Sequence, residues 1–259
     1  MNASTSENFT RTGYLIGGGI GHIVNRIKER FITLLQMTFA PEADLTDPAE
    51  LNKFLIGTYD RNKPALMQVY SVLDRTPELY GAAFDPVIID ALRLVGIQNP
   101  IVSSYPTWRL DVVNNDQKRW FPYHQDSYHE RFSSTSVTVW FPLHDVAVDK
   151  PGSTLGVLPG AHKFGVLQLG KGKFDIIDER IKGFATHWLE LQCGQFVLFS
   201  NYLPHKSGVI KDPQGARLSV QLRYDDLLDP QYKSRGWPAN FRIADAIDDD
   251  RYGADSPIG

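Results

Sequence analysis

The sequence predicts an α+β chain in which helices from the first third buttress one sheet of an antiparallel β-sandwich or barrel. Three observations carry that prediction. Before about residue 100, apolar residues recur at helical spacing. After it come short runs rich in Val, Ile, Thr, Phe and Tyr, divided by Gly, Pro, Asn and Asp clusters. Helices gathered ahead of the strands, not alternating with them, point away from a parallel sheet.

Residues 1–10 are polar and read as a frayed terminus, and Gly17-Gly18-Gly19 as a turn that launches a helix. Ile20, Val24, Ile27, Phe31, Leu34 and Leu35 then keep helical spacing until Pro41. Asp47-Pro48 opens a second helix around Leu51, Phe54, Leu55 and Ile56, and Asp85-Pro86 a third that ends at Gly96. Strands are expected at residues 108–113, 136–141, 195–199 and 218–222. The acidic residues Asp248, Asp249 and Asp250 read as a solvated tail. One domain over 1–259 is expected, with a helical buttress over about 1–100, a barrel core over about 101–224 and a C-terminal extension beyond.

Whole-chain properties narrow the function. Of 259 residues 42% are apolar and 22% charged, the balance of an ordinary globular protein. A formal charge of −3 gives no reason to expect nucleic acid or an anionic membrane as partner. The single cysteine, Cys193, excludes an internal disulfide framework and reads as a buried, inert thiol. No apolar stretch is long enough to span a bilayer, and the start lacks the pattern of a signal peptide, so a cytoplasmic location is expected. Nothing in the sequence sets an oligomeric state.

The chemistry concentrates in two places. In Tyr123-His124-Gln125-Asp126, residues two apart on an extended segment project from one face, so His124 and Asp126 can offer a nitrogen and an oxygen to one ion. An exposed turn would carry the same residues, and the spacing alone is weak. Further on, His205 sits in a polar corner, followed by a turn and a strand on which Arg217, Ser219, Gln221 and Arg223 share a face. A buried arginine needs an anionic partner. A dicarboxylate would supply one through a two-pronged contact, while an internal ion pair or an exposed edge position would explain Arg217 without any ligand. Two histidines and one carboxylate leave three coordination positions open, the facial triad of non-haem Fe(II) oxygenases. Hydrolytic zinc satisfies the same ligand count, whereas a closed structural zinc site would want cysteines. Gly17-Gly18-Gly19-Ile20-Gly21 lacks the context of a phosphate loop. His129 and His144 read as support or surface, His162 as fixing a loop, and His22 and His187 carry no signal.

These residues resemble the phytanoyl-CoA dioxygenase family of 2-oxoglutarate oxygenases over about residues 108–224. The features that carry the resemblance are His124-Gln125-Asp126, the glycine-rich stretch from Pro151 to His162, Gly194 to Phe199, His205-Lys206-Ser207, and Arg217. Ala161 stands where the family often has serine, and Gln195 where it has aspartate. The resemblance implies a double-stranded β-helix, a jelly-roll or cupin-like barrel with flanking N-terminal helices and a metal site in its mouth. It further implies Fe(II) on His124, Asp126 and His205, 2-oxoglutarate held by Arg217 and Ser207, Trp140 lining the cosubstrate pocket, and O₂ as oxidant. The reaction so implied couples decarboxylation of 2-oxoglutarate, giving succinate and CO₂, to oxidation of a C–H bond in a small molecule. Related halogenases lack the carboxylate, so Asp126 favours hydroxylation; desaturation, ring closure and epimerisation share its first step. Trp140 reads equally as an ordinary core aromatic.

Residues 103–108, 114–121, 128–132 and those after Tyr224 are the expected substrate loops, and Lys118, Arg119, Trp120, His129 and Arg131 hint at a polar or anionic substrate. Two rivals remain from other classes: a metal-dependent hydrolase or isomerase on a cupin-like barrel, and a catalytically silent barrel acting as a binding module.

Overall fold

The computed structural model describes residues 3–113, 122–126, 133–150, 152–170 and 176–237. The expected substrate loops 114–121 and 128–132 lie outside these residues, as does the acidic tail.

The N-terminal third departs from expectation in two ways. Residues 3–12 are not frayed but form helix α1 (Ala3–Thr12), which ends where Gly13 takes a φ of 85° and its N–H donates to Phe9 O. The glycine run is not wholly a turn either. Strand β1 (Tyr14–Gly18) pairs antiparallel with β7 (Gln195–Ser200), placing Gly17 opposite Phe196. A Cβ at Gly17 would run into the Phe196 ring, so the missing side chain lets the strand close on its neighbour. Gly19, with φ of 94°, then turns the chain into α2 (Gly21–Phe39).

The helices expected from Asp47-Pro48 and Asp85-Pro86 follow their sequence signals, and a short helix between them was not expected. Asp47 accepts hydrogen bonds from the N–H groups of Ala49 and Glu50 and opens α3 (Pro48–Leu73), which kinks at Asn62 just before Pro64. After α4 (Pro77–Ala82), Asp85 caps Val87 N at the start of α5 (Pro86–Leu94). Pro at the first position suits each helix, because its missing N–H has no intrahelical partner there.

Six strands form the larger sheet: β1, β7, β4 (Val137–Pro142), β9 (Ala216–Asp226) and β2 (Pro100–Val102) in that order, with β3 (Thr107–Val112) also on β9. A smaller sheet has the order β6 (His187–Trp188), β5 (Leu155–Val157), β8 (His205–Ser207). All pairings between these strands are antiparallel, the arrangement of a jelly-roll barrel flanked by helices.

Alternation along the strands separates two environments. Val137, Val139 and Phe141 of β4 and Leu218, Val220 and Leu222 of β9 join the helices in the main core with Ile27, Phe31 and Leu35. Tyr70 and Trp108 lock helix to sheet. Trp108 Nε1 donates to Tyr70 O at 2.9 Å, and the Tyr70 hydroxyl returns a bond to Trp108 O. The opposite, inward face carries Thr138, Trp140, Phe199 and the polar row from Arg217 to Arg223. A smaller core of Trp140, Leu155, Val157, Val197 and Phe199 fills part of the space between the sheets. Among the described residues no helix is long and apolar enough to cross a membrane. Cys193 is exposed, not buried as expected, because it lies in the turn ahead of β7.

Candidate metal centre

His124 and His205 are brought together by their own backbones. His124 N donates to His205 O, and His205 N to His124 O, each at 3.0 Å, so the two residues form a bridge at the end of β8. Their rings lie 4.1 Å apart between centroids, with Phe199 packed against His205 at 4.7 Å. Each Nδ1 faces a carbonyl two residues back, Pro122 O at 2.9 Å and Leu203 O at 3.0 Å. A carbonyl only accepts, so Nδ1 carries the hydrogen and Nε2 keeps its lone pair for a ligand.

Asp126 completes the set. One ligand atom from each of His124, Asp126 and His205 lies within 4.8 Å of the other two, and all three residues are buried. Asp126 Oδ2 accepts from Thr138 Oγ1 at 2.7 Å and from Arg223 Nε at 3.2 Å. That engagement leaves Oδ1 as the ligating oxygen and suits single-point ligation. Gln125, between the ligands, pins the loop: its Nε2 donates to Gly165 O and Tyr202 O, and its Oε1 accepts from Leu167 N.

The electrostatics prepare the site for a cation. Burial, then the neighbouring His205, pushes the His124 imidazole down to about 3. Burial lowers His205 as well. Both rings are therefore neutral at neutral pH, the state that binds a metal. Burial alone would raise the Asp126 carboxyl, but the Arg223 guanidinium, with the Thr138 hydroxyl beside it, favours the charged form, and the group stays ionised, below the usual carboxylate range.

Arg217 is inward and almost fully buried, but its anion comes from within the chain. Arg217 Nη2 donates to Asp111 Oδ2 at 2.8 Å and Nη1 to Thr154 O at 2.8 Å. The internal ion pair that sequence left open is thus present, so burial of Arg217 does not by itself demand a ligand. Its Nε has no partner among the described residues, and the hydroxyls of Thr154 and Ser219 are likewise buried and unpaired. Ser207, half-buried, is two residues from His205 and pairs with Leu155, next to Thr154. Trp140 lies on the inward face of β4, opposite Gln221 and Val197. Arg217 is thus bonded to Thr154, whose neighbour Leu155 pairs with Ser207 on the strand that carries His205.

Sequence reasoning missed Thr138, Gln125 and Asp111, and placed Arg223 on the same strand face as Arg217 without giving it a role. Parity along β9 put Arg223 on that face, but nothing local reveals its partner 97 residues away. Among the other histidines, His144 Nε2 accepts from Leu218 N, and His22 pairs with Asp85. His187 stacks on Tyr14, His162 packs on Gly13, and His129 is outside the described residues.

Solved structures share this fold. The epimerase SnoN, in complex with Fe3+, alpha ketoglutarate and nogalamycin RO, is 16% identical, with a TM-score of 0.61 over 86% of this chain and 82% of its own. The carbocyclase SnoK from nogalamycin biosynthesis is 13% identical, with a TM-score of 0.60 over 93% and 92%. EctD from S. alaskensis, with 2-oxoglutarate and 5-hydroxyectoine, is 17% identical, with a TM-score of 0.57 over 88% and 77%. At such identities the likeness is one of fold. No curated protein matches the sequence. The family model for phytanoyl-CoA dioxygenase matches residues 46–217, a span that holds the whole triad and ends on Arg217. The chain belongs to the phytanoyl-CoA dioxygenase family and is an Fe(II)/2-oxoglutarate-dependent enzyme of the oxygenase type.

Proposed function

We propose that the protein hydroxylates a C–H bond of a small molecule. In this reading Fe(II) is held by His124, Asp126 and His205, and 2-oxoglutarate by Arg217 and Ser207 with Trp140 as a wall. The observation that carries it is the donor set: two imidazoles locked with Nε2 available, and one carboxylate with a single oxygen engaged elsewhere. That set fits an octahedral metal keeping open positions, and it contains no thiolate. The cosubstrate fit rests on the unpartnered Arg217 Nε and the unpaired hydroxyls beside it, donors a carboxylate would satisfy.

When bound, iron and 2-oxoglutarate would supply the oxidising chemistry: 2-oxoglutarate and O₂ give succinate and CO₂ while a substrate C–H becomes C–OH. The chain's residues bind and orient. Thr138 and Arg223 hold Asp126 so that it ligates through one oxygen, and Gln125 fixes the loop between the ligands. Phe199, Trp140 and Val157 supply an apolar wall that excludes water from a reactive centre. The small molecules named with SnoN and EctD support a small-molecule substrate here, and the carboxylate at 126 supports hydroxylation over halogenation.

The test is coupled measurement of O₂ consumption and succinate release with Fe(II) and 2-oxoglutarate. His124→Ala, Asp126→Ala and His205→Ala are each expected to abolish both while the circular dichroism spectrum is kept. Full turnover in any one removes that residue from the triad. Zinc-supported hydrolysis with no O₂ uptake would replace the proposal with a hydrolase.

A further inference from the structure

Asp111 stands directly across the β3–β9 pair from Arg217 and divides its oxygens between two arginines. Oδ1 accepts from Arg109 Nε at 2.7 Å and Oδ2 from Arg217 Nη2 at 2.8 Å. Asp111 is fully buried and Arg217 is 1% exposed. Burial alone would raise the Asp111 carboxyl, but the two guanidinium groups outweigh it and keep the group ionised. An arginine sealed in the interior needs an anion at all times, not only while a ligand is bound, because an uncompensated buried charge destabilises the fold severely.

We infer that Asp111 is the resident counter-ion of the cosubstrate site. It keeps Arg217 charged and buried before 2-oxoglutarate arrives, then shares the guanidinium with the incoming carboxylate. The inference rests on the proposal that Arg217 takes that carboxylate. The guanidinium has room for both anions. Asp111 uses Nη2 and Thr154 O uses Nη1, while Nε is without a partner and the Ser219 and Thr154 hydroxyls are unpaired nearby. The cosubstrate would thus add to the ion pair without displacing it. Sharing has a cost in affinity: although Arg109 also faces Asp111, the two carboxylates on the Arg217 guanidinium repel each other. In a protein interior of effective dielectric about 20, repulsion between close like charges shifts a binding equilibrium by about one to two orders of magnitude. Asp111 therefore trades cosubstrate affinity for stability of the empty enzyme.

The experiment compares Mn(II)-loaded wild type, Asp111→Asn and Arg217→Met. It reads the 2-oxoglutarate dissociation constant by calorimetry and the thermal midpoint with and without 2-oxoglutarate. Asp111→Asn is expected to melt earlier when empty, to bind 2-oxoglutarate at least about tenfold more tightly, and to regain its midpoint when loaded. Unchanged or weaker binding in Asp111→Asn overturns the inference. Arg217→Met isolates the underlying reading: binding at wild-type strength there means Arg217 is not the clamp, whatever Asp111→Asn does. If Asp111→Asn is recovered folded only when Mn(II) and 2-oxoglutarate are present during refolding, that rescue is the expected result. Equal failure with and without them overturns it.

Discussion

Thr138 shows how a residue with no chemistry of its own can set a metal site. Its hydroxyl, fixed on the inward face of β4, lies 2.7 Å from Asp126 Oδ2 and also contacts Asn201. Thr138→Val keeps the shape and the β-branched backbone preference but removes that bond. Loss of an outer partner to a ligand typically costs 10–100-fold in metal affinity, so Mn(II) binding should weaken by about that much with little change in melting. Binding unchanged would mean Arg223 orients Asp126 unaided. Arg217→Ala should raise the apparent constant for 2-oxoglutarate by at least about tenfold, since a hydrogen bond to a charged group contributes roughly 1.5–3 kcal/mol. Arg217→Lys should rescue only in part, because a point charge cannot copy a planar fork. Ser207→Ala should do less than either. Steady-state titration of 2-oxoglutarate checks the series, and a wild-type constant in Arg217→Ala would move the clamp elsewhere. The cluster of His124 and Asp126 was readable because the two are near neighbours in sequence, although Asp126 sits in a tight turn and not on an extended segment. Thr138 and Asp111 were not, because each acts through a partner far away in sequence and on another strand.

Among the elements, β9 organises the interior. Its odd-numbered residues run from Arg217 at one end to Arg223, beside Asp126, and on to Asp225. Asp225 is completely buried and accepts from Ser133 N and Oγ, but burial still pushes its carboxyl up to about 6. The folded chain then holds a proton that the unfolded chain releases near 4. Stability from this group therefore falls as pH rises from about 4 to about 6, and the full penalty stands above that. Asp225→Asn should stabilise the protein at pH 8 by on the order of 1–3 kcal/mol and do almost nothing near pH 4. Urea denaturation at both pH values measures this, and equal destabilisation at each would show that the Ser133 bonds outweigh burial. The strands of the β4, β7 and β9 core were legible because alternation and β-branched residues agree there. Strand β1 was not. Its glycines look like a turn in isolation, and only the Phe196 ring on the neighbouring strand explains the missing side chain at Gly17.

At the scale of the whole molecule, the helices make the inner face of the larger sheet available for chemistry. They cover its outer face with an apolar layer, tied by Phe31, Tyr70 and Trp108, so the barrel interior can carry two buried arginine–aspartate pairs, Arg217 with Asp111 and Arg223 with Asp126, and the half-buried Arg109 beside the first. Amphipathic spacing predicted this layering, and the order of helices before strands predicted the class. What composition could not supply was the interior ion-pair network, which depends on strand register. The claim at the centre is that one interior binds Fe(II) through His124, Asp126 and His205 and 2-oxoglutarate beside it. Anaerobic titration with Fe(II) and then 2-oxoglutarate, followed in the visible range, tests this most directly. A charge-transfer band that saturates at one equivalent and is missing in His205→Ala is expected. Stoichiometric uptake of both ligands with no such band would contradict it.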